Sequence, residues 1–343
     1  MATMNTNRLL TTTRFKLVPK VVDTILNSNV LATMLIAKAQ KWSGSSKKFP
    51  VKTSTNNTFQ TFSGYDTFST NTSDTRQNLE FNPSFSQITV SLPLTELSVN
   101  NTEDGVLSLA QVELASSTQD MADAIGTQFY GSAIDTGNDF QGLNAIVDDG
   151  TLAPTYGGLL RATYPTLDAT NTASGGTLSI AKMDTLYNAV TSGSIKPTMM
   201  VTTKAIFAYY GQLLNPIMRI NTDATLSKGG LKGSMGFTGL DYRGIPVLAD
   251  EKCTSGNLYV LTDDNDYGLR WEALPMAMSE PVPYKKTDIV GNDYSSVKGM
   301  GFSWTNWIKP INQASIVGHL FLNGQFLSPD PKRLGKLTGI NGI

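Results

Sequence analysis

Cysteine is nearly missing from this chain: Cys253 is the one such residue among 343. A lone cysteine excludes an intrachain disulfide framework and any cysteine-based zinc site. Histidine is as scarce, with His319 alone. A serine triad would hang on that one imidazole, and no G-x-S-x-G elbow accompanies it. Charge is thin too, at 16% of residues against roughly 25% in ordinary globular chains. The 27 Lys and Arg nearly cancel the 28 Asp and Glu, so no overall field draws the molecule onto nucleic acid or an anionic membrane. Partner choice therefore falls to shape and local contact. No apolar run is long enough to cross a bilayer, and the opening MATMNTNRLLTTTRFKLVPK has no apolar signal-peptide core. Retention in the cytoplasm is the expectation.

What is present is a 40% hydrophobic content, enough to bury a proper core, and polar positions filled mostly by Thr, Ser, Asn and Gly. A slightly basic, Thr-rich arm carrying Arg8, Arg14, Lys16 and Lys20 comes first. Residues 18–42 follow, with apolar side chains at Val22, Ile25, Leu26, Val30, Met34, Leu35 and Ala39, one or two helical pieces broken near Asn27 to Asn29. From Gly44 to about Ser98 the texture changes to period-two alternation in FPVKTST and SQITVSLPL, a long two-stranded excursion. Between them, Phe59, Phe62, Tyr65 and Phe68 stand among almost no aliphatic residues. A two-stranded ribbon is marginal alone in water, so this one lies on another surface or folds back on its own domain; the pattern leaves both readings open.

NTEDGVLSLAQVELASSTQDMADAIGTQFYG starts on helix-favouring Thr102, Glu103 and Asp104. It carries a stripe of Leu107, Leu114, Met121, Ile125 and Phe129 and stops at Gly131. One helix of about 26 residues, roughly 39 Å, is predicted; Gly126 is its one internal blemish. After DTGNDFQGLNAIVDDG, the segments LSIAKMDTLYNAVTSG, TMMV and TTKAIFAYYGQLL predict helix, strand and helix, a compact α/β subdomain. A glycine-rich loop and the strand Ile245 to Leu248 follow. LYVLTDDNDYGLRW is punctuated as a hairpin, and the last third is strand-like and aromatic. No repeat or low-complexity linker divides the chain.

Several groups invite a chemical reading. Read as a calcium loop, the Asp/Gly-rich stretch beginning at Asp135 misses most ligands, with Gly137, Phe140 and Ile146 at ligand or glycine positions; the one beginning at Asp263 fits at Asn265 and Gly268 but fails at Tyr267 and Leu274. Turn chemistry is the plainer account, since Asp, Asn and Gly make Asx turns and accept left-handed backbone. Asp148 and Asp149, if adjacent on a strand, point to opposite faces. GGLKGSMGFTG contains neither G-x-G-x-x-G nor a P-loop. Lys332, Arg333 and Lys336 form a short basic group near the end. No catalytic, cofactor-binding or metal-ligating residue is assigned, and no enzyme activity is expected.

The ordered set of parts resembles the major capsid proteins of tailed bacteriophages, the Hong Kong 97-like fold. The resemblance rests on DFQGLNAIVDDG after the long helix, the helix-strand-helix of 178–214, GLDYRGIPVLADEK, NLYVLTDDNDYGLRW and the closing WIKPINQASIVGHLFLNGQF. It implies an α+β chain divided into an N-terminal arm (1–43), an extended β-hairpin loop (44–86), a peripheral domain with a long spine helix (87–139 and 256–310) and an axial α/β domain with closing strands (140–255 and 311–343). The hairpin loop would lie across a neighbouring subunit, with Lys48, Lys52, Phe59, Phe62, Tyr65, Phe68 and Arg76 at that contact. Lys232, Gly233, Met235, Gly236 and Phe237 would sit in an axial loop. The partners implied are other copies, as hexamers and pentamers, in an icosahedral shell around packaged double-stranded DNA touched weakly and non-specifically. Portal, scaffolding and decoration proteins complete that set, with no membrane, and the virion is the location after assembly in the host cytoplasm. No long helical scaffolding segment precedes Val18, so scaffolding would be separate, absent or already removed. Lys47, Lys48 and Lys52 near the ribbon base, and Asn292, Asn306 and Asn312 late in the chain, do not match the family's lysine–asparagine crosslink residue by residue; non-covalent assembly is expected. Against this stand two other classes, a hydrolase with an acidic cleft and a tail or adhesin component.

Overall fold

A computed structural model describes residues 29–68, 70–71, 73–100, 109–134, 137–173, 175–214, 240–264, 266–274, 280–281, 302–305 and 307–341. Helix α1 is Val30–Ala37, and strands β1 (Lys47–Lys52) and β2 (Arg76–Phe81) form an antiparallel pair. Strand β3 (Ser84–Pro93) runs into helix α2 (Leu94–Asn100), and α3 spans Leu109–Phe129. The short helix α4 is Leu143–Ile146, followed by β4 (Thr170–Thr172), α5 (Ile180–Val190), β5 (Met199–Thr202) and α6 (Lys204–Leu214). Then come β6 (Leu240–Tyr242), β7 (Ile245–Ala249), β8 (Leu258–Leu261), β9 (Arg270–Ala273), β10 (Phe302–Trp304), β11 (Ser315–Leu327) and β12 (Gly335–Leu337).

Two six-stranded sheets organise these elements. In the first, the 13-residue β11 takes β3 along one side and β9 and β10 along the other, with residues 40–41 and 280–281 at the ends. Helix α3 turns Met121, Ile125 and Phe129 into the core beneath it. There Phe129, Phe326, Trp271 and Phe140 stack with centroid separations of 4.2 to 5.4 Å. The second sheet runs β6-β7-β5-β8-β12-β4. Its central strands are buried throughout because both faces are covered. Met199, Val201, Leu248, Tyr259 and Leu261 enter the first core. Met200, Val247, Leu258 and Val260, pointing oppositely, meet α5 and α6 in the second core. Period-two alternation between two apolar layers leaves no polar face, which is why TMMV and LYVL read as continuous apolar runs.

The helix-strand-helix prediction matches α5, β5 and α6. The Ser179 hydroxyl caps α5 at the Lys182 N–H, and that of Thr203 caps α6 at the Ile206 N–H, both at 3.4 Å. The blemish at Gly126 is a packing requirement: a Cβ there would collide with the Asn29 side chain, which donates to the Ala122 carbonyl of α3 at 2.7 Å. Helix α3 is described from Leu109; the predicted start at 102–104 lies outside the described residues, as do the N-terminal arm up to residue 28 and the glycine-rich loop.

Three pairings differ from the sequence reading. The partner of β1 is RQNLEF (β2), while SQITVSLPL belongs to β3 and pairs with β11. LYVLTDDNDYGLRW is not a hairpin: β8 pairs with β5 and β12 in the second sheet, and β9 with β11 in the first. The acidic turn, closed by Leu269 N–H to Thr262 O at 2.8 Å and Gly268 N–H to Asp264 O at 2.9 Å, hands the chain from one sheet to the other. Sheet membership follows these pairings: 258–261 and 335–337 lie in the second sheet, and 270–273 and 315–327 in the first. Strand pairing is a long-range choice that local punctuation does not encode.

Candidate inter-subunit surface

The ribbon of β1 and β2 is anchored at its root. Leu79 and Phe81 are fully buried, and Phe81 contacts Phe49 and Tyr156 with ring centroids at 6.0 and 5.3 Å. Lys47 pairs with the buried carboxylate of Glu272 on β9, and the Arg270 guanidinium lies 4.8 Å over the Phe49 ring. The Glu80 N–H donates to the Gly157 carbonyl at 2.9 Å. Gly157 has φ 53° and faces Leu79 so closely that any Cβ would be crowded at 2.8 Å. Every one of these contacts lies within the subunit.

Toward the tip the picture reverses. Residues 53–75 contain four aromatic side chains with almost no cover: Phe59 is 90% exposed, Phe62 68%, Tyr65 104% and Phe68 61%. The loop still has its own shape. Phe62 and Phe68 meet edge-on at 5.1 Å, Gln60 Nε2 donates to the Thr67 carbonyl at 3.1 Å, and the Ser63 N–H donates to the Asp66 carboxylate at 2.6 Å. Covering one such side chain fully is worth about 1.5–3 kcal/mol, and beyond the Phe62–Phe68 contact little of that is realised inside the subunit.

Just before the tip the ribbon is cationic. Lys52 stands directly opposite Arg76 in the register, and like charges so placed are destabilising. Lys48 makes an exposed pair with Glu80 at 3.2 Å, and the Ser46 hydroxyl, with Lys48, holds the Glu80 carboxyl below its ordinary range. The seven residues assigned to an intermolecular contact thus share one projecting element. The five of the axial loop, Lys232 to Phe237, lie outside the described residues.

The groups weighed for chemistry are engaged in structure. Asp148 is buried, and its Oδ2 accepts the N–H groups of Gly150, Leu152 and Ala153 at 3.0, 2.8 and 2.9 Å. Lys336 Nζ lies 3.4 Å from its other oxygen. Burial raises the Asp148 pKa, but those three amides and Lys336 outweigh it and bring the carboxyl below its usual value. Asp149 closes an Asx turn onto Thr151. Asp263 pairs with Lys38, and His319 Nδ1 lies 3.1 Å from the Thr89 hydroxyl. Burial, together with Asp250, pushes the Cys253 thiol far up. Among the described residues no cluster of three His, Cys, Asp or Glu is placed to hold a metal, and no helix is long and apolar enough to cross a membrane.

Arg161 carried no sequence signal and proves central to this stretch. Almost fully buried, it donates to the carbonyls of Ala145, Ile146, Asp148 and Leu167, and its guanidinium stacks 4.9 Å from the Tyr156 ring. Desolvation lowers its pKa, and the carbonyl cage compensates a buried cation by hydrogen bonding. A second polar seam fixes α1: Asp250 accepts from the Leu31 N–H at 3.1 Å and the Tyr130 hydroxyl at 2.9 Å.

No protein-family model matches the chain, and no curated protein matches it in sequence. Solved structures do. The capsid asymmetric unit of cyanophage A-1(L) aligns with a TM-score of 0.70 at 13% identity, covering 95% of this chain and 97% of that one. The holo-SrpI encapsulin complex from Synechococcus elongatus PCC 7942 gives 0.60 at 13% identity over 99% and 97%. The capsid of Myoviridae phage XM1 gives 0.57 at 10% identity over 99% of both chains. At these identities the likeness is one of fold, and it runs through the whole α+β architecture.

Proposed function

We propose that this chain, whose fold is the Hong Kong 97-like capsid fold, is the major head protein of a tailed phage and works by assembling into a closed shell of many copies. The observation that carries the reading is the ribbon: its root is locked into the subunit while its tip presents four exposed aromatics. A side-chain set of that kind gains its burial only against another molecule, and another copy is always available in a symmetric assembly. The shell is icosahedral, built of hexamers and pentamers, and encloses double-stranded DNA held without a specific binding site, in keeping with a net charge of −1. Portal, scaffolding and decoration proteins are its further partners, and the virion is its place after assembly in the host cytoplasm. In these terms the first sheet with α3 is the peripheral unit, and the second sheet with α5 and α6 is the axial unit. Residues 140–150 form the crossing between them, and Lys232 to Phe237 lie at the axial centre.

The test is a deletion confined to the tip. Strand β2 begins at Arg76, so residues 55–73 are removed and replaced by a short Gly/Ser turn. The subunit is expected to stay folded, with an unchanged cooperative melt, while shells vanish from electron micrographs. Shells that persist would remove the ribbon from the assembly contact; loss of the fold would make the tip part of its own domain. Nucleic acid in purified shells tests the DNA part separately.

A further inference from the structure

Among the described residues the first sheet ends in an edge that no strand covers. The carbonyls of Val317, His319 and Asn323 on β11 are taken by Ile308, Thr305 and Leu274, on the side away from β3. Their register partners on β3 are Ser91, Thr89 and Phe85, with Gln87 continuing the alternation opposite Phe321. In an antiparallel ladder such pairs turn their backbone groups outward. The N–H and C=O groups of Phe85, Gln87, Thr89 and Ser91 therefore face away from β11, and among the described residues no strand pairs with them. Sheet edges are ordinarily blunted by charge, bulges or an early proline. SFSQITVSLP has no charged residue, its register with β11 runs unbroken over ten pairs, and its proline is the last residue.

We infer that β3 pairs edge to edge with β3 of a second copy across a two-fold axis near Ile88, joining the two first sheets into one. An isologous antiparallel contact sets Gln87 opposite Thr89 of the other copy and Phe85 opposite Ser91, and all of these have outward-facing backbone groups. A two-fold also places identical residues near one another, where any charge would repel its own copy; β3 has none. The arm is the poorer occupant: Arg14 and Lys16 would meet no acid on this strand. Two exposed apolar side chains fit the same geometry. Phe85, 60% exposed, marks one end of β3, and Val99 on α2, 73% exposed, lies beyond the other. The antiparallel two-fold brings the Phe85 end of one copy toward the α2 end of its mate. This contact is separate from the ribbon tip.

The experiment is short-range thiol crosslinking of the full-length Gln87→Cys/Thr89→Cys variant, with Cys253 buried and unreactive. A covalent dimer is expected on denaturing gels. Adding Gln87→Pro to a Phe85→Cys/Ser91→Cys background, whose thiols stand directly opposite one another in this register, removes one outward N–H per copy without touching the β11 ladder, and should cut the dimer yield about tenfold, whereas Gln87→Ala should not. No dimer from the double-cysteine variant would overturn the proposal, as would a yield insensitive to Gln87→Pro. A dimer abolished by deleting residues 2–20 would assign the edge to the arm instead and equally overturn it. Tip-deleted protein that no longer forms shells but still crosslinks would separate this contact from the assembly reading.

Discussion

Arg161 shows how a single buried cation can hold a crossing. Its four carbonyl partners belong to the end of α4, to Asp148 and to Leu167, so the turn between the two sheets is fixed by backbone acceptors rather than by an acid. Arg161→Ala would take the guanidinium donor from the buried carbonyls of Ala145, Ile146 and Leu167, while that of Asp148 keeps the Ala169 N–H at 2.9 Å. It is expected to lower the unfolding free energy by about 3 kcal/mol or more, since each such orphan costs about 1–3 kcal/mol; a urea titration of the soluble subunit checks it. Asp148 acts beside it with a definite pH sign. Its folded pKa lies below the ordinary carboxylate value, so its contribution is complete above the unfolded pKa of about 3.9 and is lost as pH falls through the lower folded value. Asp148→Asn should therefore flatten the acid limb of a stability-versus-pH curve, and an unchanged limb would contradict this role. Gly126→Ala meets Asn29 and is expected to cost about 1–3 kcal/mol by overpacking, read as a lowered melting temperature. None of these residue roles was legible in the sequence, because a cage of carbonyls and a helix-to-arm contact over 93 residues leave no local pattern.

At the scale of elements, local rules did well wherever one element decides its own fate. The 3.6-residue stripe of α3, the Thr203 cap and the buried run TMMV all follow from side-chain periodicity and hydrogen-bond supply. They failed where two elements must choose one another. Both strands around TDDNDYG formed, yet each paired in a different sheet, and FPVKTST took RQNLEF as its mate. The ribbon's exposed tip was legible as a composition, aromatics without aliphatics, and its anchored root was not. Replacing Phe59 and Tyr65 together by Ser should leave the melt of the isolated subunit unchanged. The same change should raise the concentration needed for assembly at least about tenfold, given about 1.5–3 kcal/mol for each aromatic covered; light scattering against protein concentration reads both outcomes.

The whole molecule is built on two six-stranded sheets. Two sheets share a strand-switching chain, two apolar cores clamp the second sheet, and the surface elements that gain nothing within the subunit project from it. The central claim is that the subunit completes its burial only in a closed assembly of its own kind. The direct measurement is electron microscopy and sedimentation velocity of the purified full-length protein across a dilution series. Closed shells, or discrete hexamers and pentamers with the ribbon tip covered by a neighbouring copy, are the predicted result. A strictly monomeric species, unchanged by concentration and with the tip aromatics still open to solvent, would contradict it.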